Sequence, residues 1–194
     1  MASSKTDVFN LALMKVGAAR CVSENDAAEG PRAISAMWDA YRDAEMAAHP
    51  WTFAKARAAL PALSEAPAFG WAAAYQLPSD YLSLIQVGDS FVFYSDQYAT
   101  FEIEGQTILA NEASPLLIRY VRRLENVGLW SPLFVDVFAC RLAAELAEPR
   151  TQDLNKRSQA WQEYKRAITV ARRRNAIEQP PQPLGETSWS FEML

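Results

Sequence analysis

The sequence predicts an α+β protein in which two helical hairpins pack into one four-helix bundle, with a small antiparallel β-sheet inserted between them and an extended C-terminal tail. Three observations lead to this fold class. Apolar residues recur at helical spacing before Pro50 and again after Ser131. Between these stretches, β-branched and aromatic residues alternate with polar ones. The last stretch, 179–194, holds three prolines and no basic residue.

These patterns divide the chain into three regions. Residues 1–60 and 131–178 are expected to form the helical bundle, residues 61–130 a connector and the antiparallel β region, and residues 179–194 the tail. With 194 residues, 50% of them apolar, and a net charge of −4, the composition excludes a disordered or collagen-like chain. A chain of this length buries a core without a metal or a disulfide.

The first two helices are marked by their end signals. Thr6 or Asp7 is expected to cap the first helix, and Gly17 to end it in the left-handed conformation. The second helix holds Pro31 in its first turn and stops at Pro50. Its buried stripe is predicted to contain Ile34, Trp38, Tyr41 and Ala48, and its solvent face Asp39, Arg42, Asp43 and Glu45.

The middle of the chain changes character twice. Residues 51–57 predict one helical turn, followed by an extended connector. The alternating pattern then predicts four or five strands, drawn from 84–87, 91–94, 98–104, 107–109 and 116–121. Gly105 supplies the positive φ of a tight hairpin turn. Phe101 and Ile103 are expected to face inward in that hairpin.

The second pair of helices follows. Ser131 and Pro132 open the third helix by the cap-then-proline rule, and Pro149 is expected to end it. Asp153 can cap a fourth helix of about 25 residues, judged from its period. Its buried stripe is predicted to contain Leu154, Trp161, Tyr164, Ile168 and Ala171.

Residues for catalysis, cofactor binding or metal binding are not predicted. The glycine-rich phosphate loops, the serine elbow and the two-histidine zinc motif are all missing from the sequence. The single histidine, His49, is expected to satisfy helix-end carbonyls or pack on Trp51. Cys21 and Cys140 are expected to be buried, reduced thiols. The sequence therefore favours a non-enzymatic protein without a cofactor.

Charge is distributed unevenly along the chain. Residues 116–175 hold twelve basic residues against six acidic ones, whereas the segments on either side are acidic. The run Arg172, Arg173 and Arg174 complements the negative end of the helix dipole, or contacts a partner or a DNA backbone together with Arg119, Arg122 and Arg123. Segments of opposite charge could also meet across a subunit contact.

Apolar side chains in the tail provide a second candidate interface. Trp189 and Phe191, two residues apart, share one side of an extended strand. Together with Met193 and Leu194, they are expected to dock on the bundle of their own chain or into a neighbouring chain, by strand addition or pocket filling.

Three sequence blocks point to a family. HPWTFA lies at 49–54, AFGWAAAYQLPSDYL at 68–82 and LFVDVFACRLAAELA at 133–147. Their order and spacing resemble the tail tubular protein A family of short-tailed phages, over roughly residues 6–175. Residues beyond Gln179 depart from the resemblance.

The resemblance implies a structural virion protein, the adaptor between head and tail. In such an adaptor about twelve copies close into a ring by head-to-tail contacts. The ring would lie beneath the portal protein, face the tail nozzle or tail fibre proteins, and extend a channel through which DNA passes without specific binding. Such a protein is made in the host cytoplasm and ends in the phage neck.

Two other classes stay open. One is a small helical nucleic-acid-associated or regulatory binding protein that uses the basic region 116–175. The other is a hydrolase with paired carboxylates, which is disfavoured because nothing in the sequence separates two carboxylate pKa values. A membrane partner is not expected, since no stretch reaches the roughly 20 apolar residues that a spanning helix needs.

Overall fold

The computed structural model describes residues 4–88, 90–91, 101–151 and 154–178. Four α-helices lie within these residues: α1 at Lys5–Lys15, α2 at Glu29–Ala47, α3 at Pro132–Thr151 and α4 at Leu154–Ile177. Short 3₁₀ turns occur at Thr52–Ala54 and Val127–Leu129. None of the helices among the described residues is both long and apolar enough to cross a bilayer.

Among the described residues, seven strands form two antiparallel sheets. They are β1 at Lys55–Leu60, β2 at Ala73–Gln76, β3 at Tyr81–Val87, β4 at Ser90–Phe91, β5 at Phe101–Glu104, β6 at Thr107–Ala110 and β7 at Leu116–Arg122. The first sheet has the order β1-β7-β3-β4 and the second the order β2-β6-β5. The described part of the chain is therefore α+β with four helices and two sheets, and the predicted four-helix bundle with one small inserted sheet is wrong.

The first sheet shares its core with the helices, which is the physical reason for the correction. Val121 of β7 is buried in the same apolar cluster as Phe9 of α1, Trp38 of α2 and Phe138 of α3. Within this cluster the Trp38 ring lies 5.2 Å from that of Phe9 and 4.9 Å from that of Phe138. One apolar face of the sheet thus packs against the helices.

A second apolar cluster joins the two sheets. It contains Tyr75 of β2, Ile108 of β6, and Leu116 and Ile118 of β7, all of them buried. Successive residues of a strand point to opposite faces, so Ile118 faces this cluster while Val121 faces the helices. The first sheet is consequently sandwiched between the helices and the second sheet over part of its area.

Two of the predicted helix-end residues are confirmed, and the predicted cap of α1 is wrong. Ser4, and not Thr6 or Asp7, caps α1, and it forms a capping box with Asp7. Gly17 has the predicted positive φ of 72° after this helix. Ser131 caps α3 as predicted, since its hydroxyl accepts a 3.2 Å hydrogen bond from the Phe134 amide.

Other predicted boundaries differ from the structure or fall on residues that the structure does not describe. Helix α3 runs beyond Pro149 to Thr151. The helical turn predicted within 51–57 is present as the 3₁₀ turn at Thr52–Ala54, but the strand β1 follows it where an extended connector was predicted. Asp153, residues 92–94 of one predicted strand and residues 98–100 of the next lie outside the described residues, whereas β5 confirms the remainder of the predicted strand 98–104.

The predicted hairpin is confirmed. Glu104 pairs with Thr107 at its end, and Gly105 between them has a φ of 59°. Ile103 pairs with the buried Ile108 and therefore lies on the inward face, as predicted, but its side chain stays 40% exposed. The hairpin lies at the edge of the second sheet, where a strand has fewer neighbours to cover its side chains.

Candidate interaction surface

Three basic side chains share one face of the first sheet. Lys55 and Arg57 are two residues apart on β1 and therefore point to the same side. Arg57 lies directly opposite Arg119 of β7 in the antiparallel register. Lys55, Ala56, Arg57 and Arg119 line a cleft of about 340 Å³.

This sheet face is covered at one end and open at the other. Val121, which pairs with Lys55, is buried against the helices, whereas Leu117, which pairs with Ala59, is 56% exposed. Arg57 and Arg119 lie between these two pairs, at the border of the helical layer. Strand β1 is also the last strand of its sheet, so one of its edges carries no strand among the described residues.

The C-terminal end of α4 is fixed beside the start of β1. The buried Asn175 side chain accepts a 2.8 Å hydrogen bond from the Thr52 amide and donates one of 3.2 Å to the Pro50 carbonyl. Its amide nitrogen also lies 2.9 Å from Nε2 of His49. A single asparagine therefore holds the last turns of α4 to the residues that lead into β1.

Arg172 lies about one turn before Asn175 on α4 and therefore belongs to the helix end that is fixed beside β1. Burial lowers the pKa of His49, and the charges of Arg172 and Lys55 lower it further. Burial likewise lowers the pKa of Lys55, with a further contribution from Arg119. We call Lys55, Arg57, Arg119 and Arg172 the basic patch.

The basic patch has no counterion among the residues that the structure describes. Among the described residues, no carboxylate lies within salt-bridge distance of its four cations. Like charges directly opposite each other in an antiparallel pair are destabilising, and Arg57 and Arg119 form such a pair. An anionic partner would relieve this repulsion, so the arrangement is suited to binding an acidic surface or a phosphate.

The three arginines of the predicted run do not lie on one surface. Arg172 belongs to the basic patch, whereas Arg174 forms an ion pair of 3.5 Å with Glu178 one turn further along. Arg173 is exposed on α4. Consecutive residues of a helix point in directions about 100° apart, so three successive arginines cannot share one surface.

The other predicted residues are divided in the same way. Arg119 belongs to the basic patch, but Arg122 is three positions along the strand and faces the opposite side of the sheet. The guanidinium of Arg123 donates a 2.8 Å hydrogen bond to Asp43. The four predicted tail residues, Trp189, Phe191, Met193 and Leu194, lie outside the described residues.

Lys55 and Arg57 were missed by the sequence prediction. They lie in the interval that was interpreted as a helical turn and a connector. Their partner Arg119 is more than 60 positions away in the sequence. The alternation of Lys55, Ala56, Arg57 and Ala58 is the one signal that could have found them, since it gives a strand a charged face and an apolar face.

A separate network of charged and aromatic side chains joins α2, α3 and α4. The guanidinium of Arg141 on α3 lies 4.8 Å from the ring centroids of both Tyr41 and Trp161. It forms an ion pair of 2.8 Å with Glu145 and lies 3.9 Å from Glu45. Glu45, predicted to face solvent, is therefore buried.

Arg42 is a second correction on the same helix. It was also predicted to face solvent, but its residue is only 5% exposed. Its guanidinium contacts the carboxylates of Asp39 and Asp43, each at 2.8 Å. Long charged side chains cover apolar surface with their methylene stems, which periodicity alone does not reveal.

The remaining polar groups have ordinary structural partners. The His49 ring packs edge-on against Trp51, with centroids 4.7 Å apart, as predicted. Both cysteines are free and buried, also as predicted. Lys15 lines a cleft of about 400 Å³ and pairs with Glu163 at 2.8 Å and Asp136 at 3.2 Å. Within the described ranges, no group of three His, Cys, Asp or Glu side chains could hold a metal ion.

Comparison with known proteins adds no relative: no protein-family model matches the chain, and no curated protein has a significantly similar sequence. The likeness of the three sequence blocks to the tail tubular proteins therefore stays a prediction.

Proposed function

We propose that this chain is a structural subunit of a phage head-to-tail adaptor, in which about twelve copies form a ring between portal and tail nozzle and extend the DNA channel. The observation that carries the proposal is the basic patch, whose four cations lie on and beside the edge strand β1 and have no carboxylate partner among the described residues, in a chain of net charge −4. Such a surface serves association, so the proposed role is assembly without catalysis.

A closed ring requires two different surfaces on each subunit, because head-to-tail contacts join unlike faces. The basic patch is one such surface. The hairpin of β5 and β6 offers the other, since Glu102 and Glu104 are both exposed on an edge strand. The indole N–H of Trp71 donates a 2.9 Å hydrogen bond to Glu102, and Phe69 nearby in sequence is 88% exposed.

In the proposed ring, the basic patch of one subunit faces this acidic hairpin of the next. Complementary charge sets the register of such a contact more than its affinity. The exposed aromatic side chain of Phe69 supplies apolar area to the same contact. The DNA in the channel is not held by a specific site.

Assembly on the portal protein encoded in the same genome tests this proposal. Size-exclusion chromatography with light scattering should give a monomer for the chain alone and a ring on the portal, visible by electron microscopy. The double variant Arg57→Glu/Arg119→Glu should form no ring on the portal. The variant Arg166→Glu, an exposed substitution on α4, should form the ring normally. A stable dimer that ignores the portal would contradict the proposal.

The basic patch also favours a second candidate, a protein that binds a nucleic acid backbone. Unpaired cations bind phosphates by releasing counterions, so affinity would fall steeply with salt. A filter-binding titration with duplex DNA at low salt separates the two candidates. Binding that is lost in Arg57→Glu/Arg119→Glu supports the second candidate, and absence of binding removes it.

A further inference from the structure

We infer that in the isolated chain residues 179–194 dock on the basic patch by adding a strand to the open edge of β1. The inference concerns the free chain, so it stands or falls independently of the adaptor role. In this arrangement the acidic residues of the segment neutralise the basic patch before any partner is present.

The structure delivers this segment to the basic patch. Glu178, the residue before it, accepts a 3.0 Å hydrogen bond from the Thr52 hydroxyl, three positions before β1 begins. Extended chain covers about 3.3 Å per residue, so the sixteen residues 179–194 are long enough to run past the six residues of β1. A short tether of this kind gives an effective concentration near the millimolar range.

The charge of the segment is complementary. Residues 179–194 contain Glu186 and Glu192 and no basic residue. The four cations of the basic patch have no carboxylate partner among the described residues, as shown above. Docking would therefore give the four cations an acidic partner without breaking an ion pair that the described residues already make.

The two faces of β1 match the two faces of the segment. On β1, Lys55 and Arg57 alternate with Ala56 and Ala58, which are half-buried at the border of the second core cluster. In the segment, the polar residues 188, 190 and 192 alternate with Trp189, Phe191 and Met193. A strand added beside β1 would place Glu192 next to the cations and the aromatic rings next to the small alanines.

Strand addition also explains why an edge strand of this composition is tolerated. An exposed edge with unpaired amides and carbonyls invites pairing with other chains, and proteins commonly cover such an edge. The chain carries its own cover at the end of α4.

Limited proteolysis of the full chain tests the inference. Chymotrypsin cleaves after Trp189 and Phe191, and mass spectrometry measures the rate of each cut. Each rate is divided by that of the free 179–194 peptide with the same sequence. At low salt, Arg57→Glu/Arg119→Glu should raise the normalised rate at least about fivefold, because cleavage follows the open population. Arg166→Glu is the matched control and should leave it unchanged.

Reversing the charges of the segment 179–194, and not those of the sheet, provides a second test in which β1 and β7 keep their native residues. Glu186→Lys/Glu192→Lys alters only the segment and should raise the normalised rate as much as the change in the basic patch does. Combining Arg57→Glu with Glu192→Arg should restore slow cleavage. Equal normalised rates in wild type and in every variant would overturn the inference. Protection that depends on protein concentration would overturn it as well, since the segment would then dock on another copy.

Discussion

The phenolic oxygen of Tyr164 on α4 lies 2.7 Å from a carboxylate oxygen of Glu45 on α2 and donates a hydrogen bond to it. Burial and this hydrogen bond raise the pKa of Tyr164 to about 12. The same carboxylate lies beside Arg141 of α3. One buried acid thus links three helices, and through α4 it supports the helix end that carries Arg172.

Replacing Tyr164 with phenylalanine should destabilise the protein. The ring stays in place, but the buried carboxylate of Glu45 loses its hydroxyl donor, which costs about 1–3 kcal/mol. Urea unfolding at pH 7 measures the loss. Gln162→Ala, an exposed change on the same helix, is the control and should leave stability nearly unaltered. A Tyr164→Phe variant as stable as the wild type would show that the hydrogen bond contributes nothing net.

Asn175→Ala should loosen the contact between α4 and the start of β1. It removes the acceptor of the Thr52 amide and the donor to the Pro50 carbonyl, both in a buried setting. We expect a loss of about 1–3 kcal/mol. Hydrogen exchange should show faster exchange of the Thr52 amide, with the amides of α1 unchanged at low denaturant. Asn175→Asp keeps only the acceptor, so its stability should lie between those of the wild type and Asn175→Ala.

In the Glu186→Lys/Glu192→Lys background, where the segment 179–194 no longer neutralises the basic patch, Arg57→Gln should make the protein more stable at low salt, by about 0.5 kcal/mol, because it removes one of two like charges that face each other across β1 and β7. The gain should shrink in 0.5 M NaCl, where the Debye length is only about 4–5 Å. Thermal unfolding at both salt concentrations checks this. A loss of stability at low salt would mean that Arg57 has a stabilising partner, and Arg32→Gln serves as the exposed control.

Stability should fall between pH 7.5 and pH 5.5 through His49. Its pKa in the folded state is lowered by burial, Arg172 and Lys55, so the unfolded chain takes up the proton first. Folding is therefore favoured above the unfolded pKa of about 6.5 and progressively disfavoured below it. His49 is the only histidine in the chain, which makes the effect assignable. Urea unfolding across this window should show a smaller pH dependence in His49→Gln, and an equal dependence would contradict the assignment.

Local signals predicted individual elements well where the pattern was long or the turn chemistry was specific. Ser131 at the start of α3 and Gly105 in the hairpin are examples, since capping and positive φ are set by residues close together in sequence. Residues 55–60 form the strand β1 where a connector was predicted. Its strand character comes from pairing with β7, and its own residues include helix-favouring alanines.

The candidate site was predicted only in part. Arg119 and Arg172 were both named, but as members of two arginine clusters and not as neighbours. The structure splits each cluster, because the helix and the strand turn consecutive side chains in different directions. It then joins one member of each to Lys55 and Arg57, which no motif marks.

By itself, the sequence determined the α+β composition of elements, the ends of several helices, the buried thiols and the packing of His49 on Trp51. These depend on periodicity, capping and side-chain chemistry within a few residues. Tertiary structure alone decided that the first sheet packs on the helices, that Glu45 is buried and that Arg57 faces Arg119. Each of these depends on contacts between distant segments, and a pattern states which face of an element is apolar without stating what will cover it.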